Sequence, residues 1–136
     1  MEKRVVITGL GAVTPVGIGK ENFYNALLAG QSGIGPITRF DASEYATRIA
    51  GEVKDFDITN YSVDKKEARR MDRSVEFAIG AAVLACEDAD LDLDKANLDR
   101  CGTVVGTGIG GIDSIHEVYE TLFEKGPGRV SPFAVP

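Results

Sequence analysis

Two short runs constrain this chain more than anything else in it. Arg4-Val5-Val6-Ile7-Thr8 and the stretch from Arg100 to Val105 are rich in β-branched residues and nearly free of polar alternation. A strand with one wet face alternates polar and apolar; a run apolar on both faces suits a strand covered on both sides, as in parallel and mixed α/β sheets. Each run ends in glycine, at Gly9-Leu10-Gly11 and at Gly106-Thr107-Gly108-Ile109-Gly110-Gly111. Both are therefore expected to be buried strands.

Helical patterns fill the space between and after them. Glu21 to Leu28 reads as a short helix with Phe23, Ala26, Leu27 and Leu28 inward, closed by Gly30 and Gly33. Residues 34 to 62 look irregular, with one strand expected at Thr47 to Val53. Asp64 to Arg70 is a charged short helix. Asp72 is placed to cap the next one, which carries Val75, Ile79, Ala82, Val83 and Cys86 at helical spacing. Phe77 to Cys86 holds no charge, which predicts burial on most sides. A last helix follows Gly111, with Ile112, Ile115, Tyr119 and Leu122 on one stripe, and Gly126-Pro127-Gly128 stops it. Strand, helix, helix, strand, helix is an α/β order.

Composition excludes several classes of function. Fifteen Lys and Arg against 21 Asp and Glu leave a net charge of −6, the wrong balance for a main role on nucleic acid. No stretch is long and apolar enough for membrane insertion. Cys86 and Cys101 have no metal-ligand spacing, and with a single histidine, His116, they do not make a four-ligand metal site. His116 has Asp113 and Glu120 within one helical turn and predicts a surface ion pair. With no secretory signal at the N-terminus the expected setting is cytoplasmic, with reduced thiols. Cys86 reads as a small buried hydrophobe, and Cys101, opening a strand, is expected to be buried too.

Sixteen glycines in 136 residues exceed the usual share of about 7%, and the loop at 106–111 concentrates them. Gly106-x-Gly108-x-x-Gly111 satisfies the dinucleotide fingerprint literally and sits between a strand and a helix, as that fingerprint requires. The acidic residue wanted about twenty positions later is missing, because Gly126 to Pro132 offers only Arg129. The other reading is a loop that needs close backbone approach beside a pocket. Lys65 to Arg73 is a second concentration: five basic and two acidic residues on a chain that is acidic overall. It is either a solvated helix face or a docking surface for an acidic partner.

The motifs taken in order resemble one family. Val5 to Gly17, Gly30-Gln31-Ser32-Gly33-Ile34, Arg39-Phe40-Asp41, Gly106 to Gly111 and Ser131-Pro132-Phe133-Ala134-Val135-Pro136 are similar to the β-ketoacyl-[acyl-carrier-protein] synthases, and most of all to the elongating branch of type II fatty acid synthesis. The resemblance runs through the whole chain. It implies an α/β fold, part of the first half of a thiolase-like αβαβα sandwich, with residues 1–136 as an incomplete N-terminal portion. It implies a decarboxylative condensation of an acyl-enzyme with malonyl carrier protein, with no organic cofactor and no metal. The family's nucleophilic cysteine, two histidines and lysine lie in motifs absent here, so no catalytic residue is expected in this span. The resemblance further implies that Ile109 and Gly108 border the acyl-chain pocket and that Phe133 reaches a partner subunit's pocket. Lys66, Arg69, Arg70 and Arg129, with Lys125 nearby, would dock an acidic acyl carrier protein bearing acyl and malonyl groups. It also implies a homodimer and, since the chain opens at its first strand, a stand-alone enzyme. Two alternatives remain: a non-catalytic, chain-length-factor-like relative, and a dinucleotide-binding module.

Overall fold

The computed structural model describes residues 4–133; the last part of the Ser131–Pro136 motif lies outside the described residues. The chain divides into two compact units. One holds residues up to Asp57 together with Gly80–Ala96; the other holds Ile58–Ile79 and the chain from Asn97 onward.

The first unit begins with a tight antiparallel hairpin, β1 (Val13–Thr14) against β2 (Gly17–Ile18). Thr14 builds its turn: its hydroxyl donates to the Gly17 carbonyl at 2.8 Å and accepts from the Val16 N–H at 3.3 Å. Helix α1 (Lys20–Leu28) follows. It ends as the glycine signal requires, with Gly30 at φ 66°, its N–H donating to the Leu27 carbonyl and that of Gln31 to the Ala26 carbonyl; this is a Schellman closure. A second antiparallel hairpin pairs β3 (Ile34–Pro36) with β4 (Ile49–Gly51), Ile34 facing Gly51. Glu52, just past β4, accepts from the Thr38 hydroxyl at 2.7 Å and from the Thr38 N–H at 2.9 Å, which ties the two ends of this hairpin together.

Helix α3 (Arg73–Asp88) is divided between the units. In the first unit its C-terminal part meets the segment Gly9–Gly11 at backbone distance. A Cβ on Gly11 would lie 1.9 Å from the Ala81 carbonyl oxygen, and one on Gly9 would lie 2.3 Å from that of Ala85. Ala81, Ala85 and Ala89, one turn apart, form the groove. At its end Asp88 accepts from the Leu10 N–H at 2.9 Å and pairs with Lys20. The Lys20 ammonium first, then the Leu10 N–H, hold the Asp88 carboxyl below the usual carboxylate range. Ala26, Ala42 and Phe56 are buried in this unit.

The second unit opens with a 3₁₀ turn at Ile58–Tyr61, where Ile58 is 2% exposed. Helix α2 (Lys65–Ala68) follows, then the first turns of α3. A 3₁₀ turn at Leu98–Arg100, helix α4 (Ile112–Lys125) and a 3₁₀ turn at Pro127–Arg129 complete it.

Several sequence expectations are corrected. Neither apolar run forms a strand: residues 4–8 and 101–105 join no ladder with any described segment, and Val5 and Val104 are 91% and 100% exposed. Both runs carry the apolar character of a covered strand, but a strand also needs a hydrogen-bonded neighbour, and the described residues supply none. Leu27 and Leu28 face outward, leaving Ala26 as the buried residue of α1. Phe77–Cys86 is mostly half-buried, with only Gly80 fully covered. Cys86 is likewise half-buried. Cys101 is exposed and closes the 3₁₀ turn before it, with its thiol on the Asn97 carbonyl at 3.4 Å. Both thiols are free. The strand expected at 47–53 is shorter, at Ile49–Gly51, and pairs into a hairpin.

The Gly11 contact is backbone against backbone, so an added methyl cannot be absorbed by a rotamer change. Gly11→Ala is expected to destabilise the protein by about 1–3 kcal/mol. Gly35→Ala, which adds a methyl into open space, should leave the melting temperature close to that of the parent. Paired thermal melts check this.

Candidate functional site

The basic stretch is shaped by one short helix. Asp64 caps α2, its Oδ1 accepting from Lys66 N–H at 2.7 Å and Glu67 N–H at 2.9 Å. The chain then turns through Arg69 and Arg70, with the Arg70 N–H on the Glu67 carbonyl and the Met71 N–H on that of Ala68. Arg69, Arg70 and Met71 thereby reach one wall of a cleft of about 260 Å³. Ser114, Glu117, Val118 and Thr121 of α4 form another wall, and Arg129, Ser131 and Phe133 complete the lining. The Arg70 guanidinium lies 4.3 Å from the centre of the Phe133 ring, a cation–π contact that fixes its direction at the rim.

The structure thus brings together Arg69, Arg70, Arg129 and Phe133. Lys66, on the exposed face of α2, does not line this cleft, nor do Ile109 and Gly108. Ile109 is 73% exposed at the tip of the 106–111 loop. His116 pairs with Glu120 at 3.4 Å on the exposed side of α4, as its spacing predicted. Among the described residues no group of three or more His, Cys, Asp or Glu could hold a metal ion, and no helix is long and apolar enough to cross a membrane.

Asp72 joins the parts of this unit. Its Oδ1 accepts from the Ser74 N–H at 3.0 Å at the start of α3. Its Oδ2 accepts from both the N–H and the hydroxyl of Ser114, each at 3.1 Å, in the first turn of α4. Partial burial pushes its pKa up, but the hydrogen bonds from Ser74 and Ser114 outweigh this and hold the carboxyl below its usual value. Sequence reasoning found the first half of this role. The second half spans 42 positions and leaves no local signal.

The same carboxylate decides the meaning of the glycine fingerprint. In a dinucleotide site the pyrophosphate occupies the N-terminus of the helix after the glycines. Here the first turn of α4 already holds an anion, Asp72, and a phosphate brought there would meet like charge. The geometry argues against a nucleotide cradle; what the glycines serve here is the positive φ of Gly110 and the close approach of Gly111 to Asp72.

Because its pKa is lowered on folding, Asp72 contributes stability above its unfolded value near 3.8, and that contribution disappears as pH falls through the still lower folded value. Asp72→Ala removes caps from two helices and is expected to cost about 1–2 kcal/mol at pH 7. The loss relative to the parent should shrink below about pH 4. Denaturant unfolding at neutral and acid pH measures both.

The family described as Beta-ketoacyl synthase, N-terminal domain, matches residues 2–136. The chain is 50% identical over 135 residues to 3-oxoacyl-[acyl-carrier-protein] synthase 2 of Synechocystis sp., covering 99% of this chain and 32% of that protein. Two solved structures superpose well. The ishigamide ketosynthase/chain length factor gives a TM-score of 0.76 at 32% identity, over 95% of this chain and 32% of that one. The AntDE:AntF structure, a type II PKS acyl-carrier protein in complex with its ketosynthase bound to the hexaketide, gives 0.75 at 28%, over 98% and 35%. The chain spans about a third of the length of the curated relatives it matches. With the family match over residues 2–136 and these likenesses in sequence and fold, the chain belongs to the β-ketoacyl synthases and carries part of their thiolase-like fold.

Proposed function

We propose that this chain is the N-terminal portion, residues 1–136, of an incomplete ketosynthase domain whose whole protein is a 3-oxoacyl-[acyl-carrier-protein] synthase of type II fatty acid synthesis. The observation that carries the proposal is the convergence of Arg69, Arg70 and Arg129 on one cleft, in a chain with a net charge of −6. The 50% identity to the Synechocystis enzyme supports it.

In the proposed reaction an acyl group passes from carrier-protein thioester to an enzyme cysteine thiolate outside this span, releasing the carrier thiol. Malonyl carrier protein loses carbon dioxide. The carbanion left behind attacks the acyl thioester, and the cysteine thiolate departs as the 3-oxoacyl product forms. This span supplies no group that reacts. It supplies a docking rim, Lys66, Arg69, Arg70 and Arg129, walls of the acyl pocket at Ile109 and Gly108, and Phe133 for the acyl pocket of a partner subunit. The likeness to a ketosynthase in complex with its acyl-carrier protein supports that partner. The proposal includes a cytoplasmic homodimer working without organic cofactor or metal.

Rim charges mainly raise the association rate and set orientation. Reversing Arg69 and Arg70 to Glu in the full-length enzyme is expected to raise KM for acyl carrier protein substrates by about tenfold or more. KM for a free pantetheine thioester should move far less. Equal rises for both substrates would rule out docking at this rim.

In this proposal Ile109, flanked by Gly108 and Gly110, borders an apolar tunnel that the rest of the protein completes. Each methylene buried there contributes about 0.8 kcal/mol, about fourfold in preference. Ile109→Phe should abolish turnover of long acyl substrates while sparing short ones, read as kcat/KM across a chain-length series.

The second reading, a non-catalytic chain-length-factor-like protein, is favoured by the fold similarity to the ishigamide ketosynthase/chain length factor. Labelling the full-length protein with a cysteine-directed acyl mimic separates the two, because only the enzyme presents a reactive nucleophile.

A further inference from the structure

We propose that Asp72 is a positioning residue that sets acyl-chain length by fixing Ile109. This rests on the reading of Ile109 as a pocket wall given under Proposed function. Asp72 does not line the chain's path in that reading; it acts on the loop that carries Ile109.

Among the described residues the close contact of the loop lies at its outgoing side; Cβ atoms built on Gly106 and Gly108 would meet nothing within 4 Å. At the outgoing side, a Cβ on Gly111 would lie 3.1 Å from the Asp72 carboxyl carbon and from Oδ2. Gly111 therefore packs against the carboxylate that also receives the Ser114 N–H and hydroxyl. Between them the turn is closed on itself. Gly110, at φ 80°, donates its N–H to the Thr107 hydroxyl at 2.9 Å, and the Ile112 N–H returns to the Gly110 carbonyl at 3.1 Å. A turn closed from 107 to 112 moves as one piece, and Ile109 is inside it. Among the described residues the outgoing side of this turn meets Asp72 and the α4 terminus that Asp72 caps.

The carboxylate suits this because it has two oxygens, one for each helix. An asparagine has one carbonyl oxygen and presents N–H donors on the other side, where donors already point. Asp72→Asn thus keeps one helix capped and releases the other. Gly111→Ala disturbs the same contact from the opposite side, leaving both caps chemically intact and pressing the new methyl against the carboxylate.

The test uses the full-length enzyme and a series of acyl carrier protein substrates of increasing chain length. Asp72→Asn and Gly111→Ala are each expected to change the long-to-short ratio of kcat/KM by about fourfold for each methylene of depth gained or lost. In an Ile109→Ala background the effect of Asp72→Asn on that ratio should vanish, which a double-mutant cycle reads directly. Should Ile109→Ala shift the profile while Asp72→Asn and Gly111→Ala lower all chain lengths equally, Asp72 is a structural cap only and the proposal is overturned, with the pocket reading intact. An Asp72→Asn effect that persists undiminished without Ile109 overturns it as well. Should Ile109→Ala leave the profile unchanged, the pocket reading itself fails and takes this proposal with it. If Asp72→Asn does not fold, Gly111→Ala alone and combined with Ile109→Ala carries the same decision.

Discussion

One carboxylate between two helix starts organises the second unit. Every helix leaves N–H groups unpaired in its first turn and carries partial positive charge there. α3 and α4 bring two such ends to Asp72, whose two oxygens serve both. Arg70 and Met71 immediately precede this residue, and Ser114 is both its partner and part of the cleft wall. The cleft therefore takes its shape from the same contact that joins the helices. The carboxylate also closes the N-terminus of α4 to other anions, which is why a literal glycine fingerprint does not make a nucleotide site here.

Charge is distributed against the overall balance. The chain is acidic, yet three arginines from two separated segments reach a single cleft. Glu117 shares the lining, so the field there is mixed and depends on where each guanidinium points. Arg70 is directed by the face of Phe133, and an exposed aromatic at that position serves as a platform. A flexible lysine would add charge without the planar geometry that stacks on a ring.

Local chemistry was legible in the sequence, and pairing was not. The Gly30 closure of α1, the Asp72 cap of α3, the stop at Gly126 and the His116–Glu120 pair all follow from signals within a few residues. The glycines at 9 and 11 read as the end of a strand, yet they act through close approach to α3, because the pattern says nothing of what lies opposite. The two β-branched runs stated how much cover they need without stating what provides it, and among the described residues it is absent. Cys101 was misplaced for the same reason, since its burial was inferred from a strand that does not form. At the site, the basic composition of Lys65–Arg73 was visible. Its meeting with Arg129 and Phe133, some sixty positions later, depends on tertiary contacts that no local window contains.

The seam between Gly9–Gly11 and α3 has a consequence for the order of events during synthesis. Its hydrogen bond from Leu10 to Asp88 joins residues 78 positions apart. A contact of that span cannot form until the ribosome has released the second partner, and closing so long a loop costs entropy that only the finished groove repays. Until then Gly9 and Gly11 have no groove to enter. The first unit therefore closes late, and its N-terminal segment stays open to holding chaperones through much of translation.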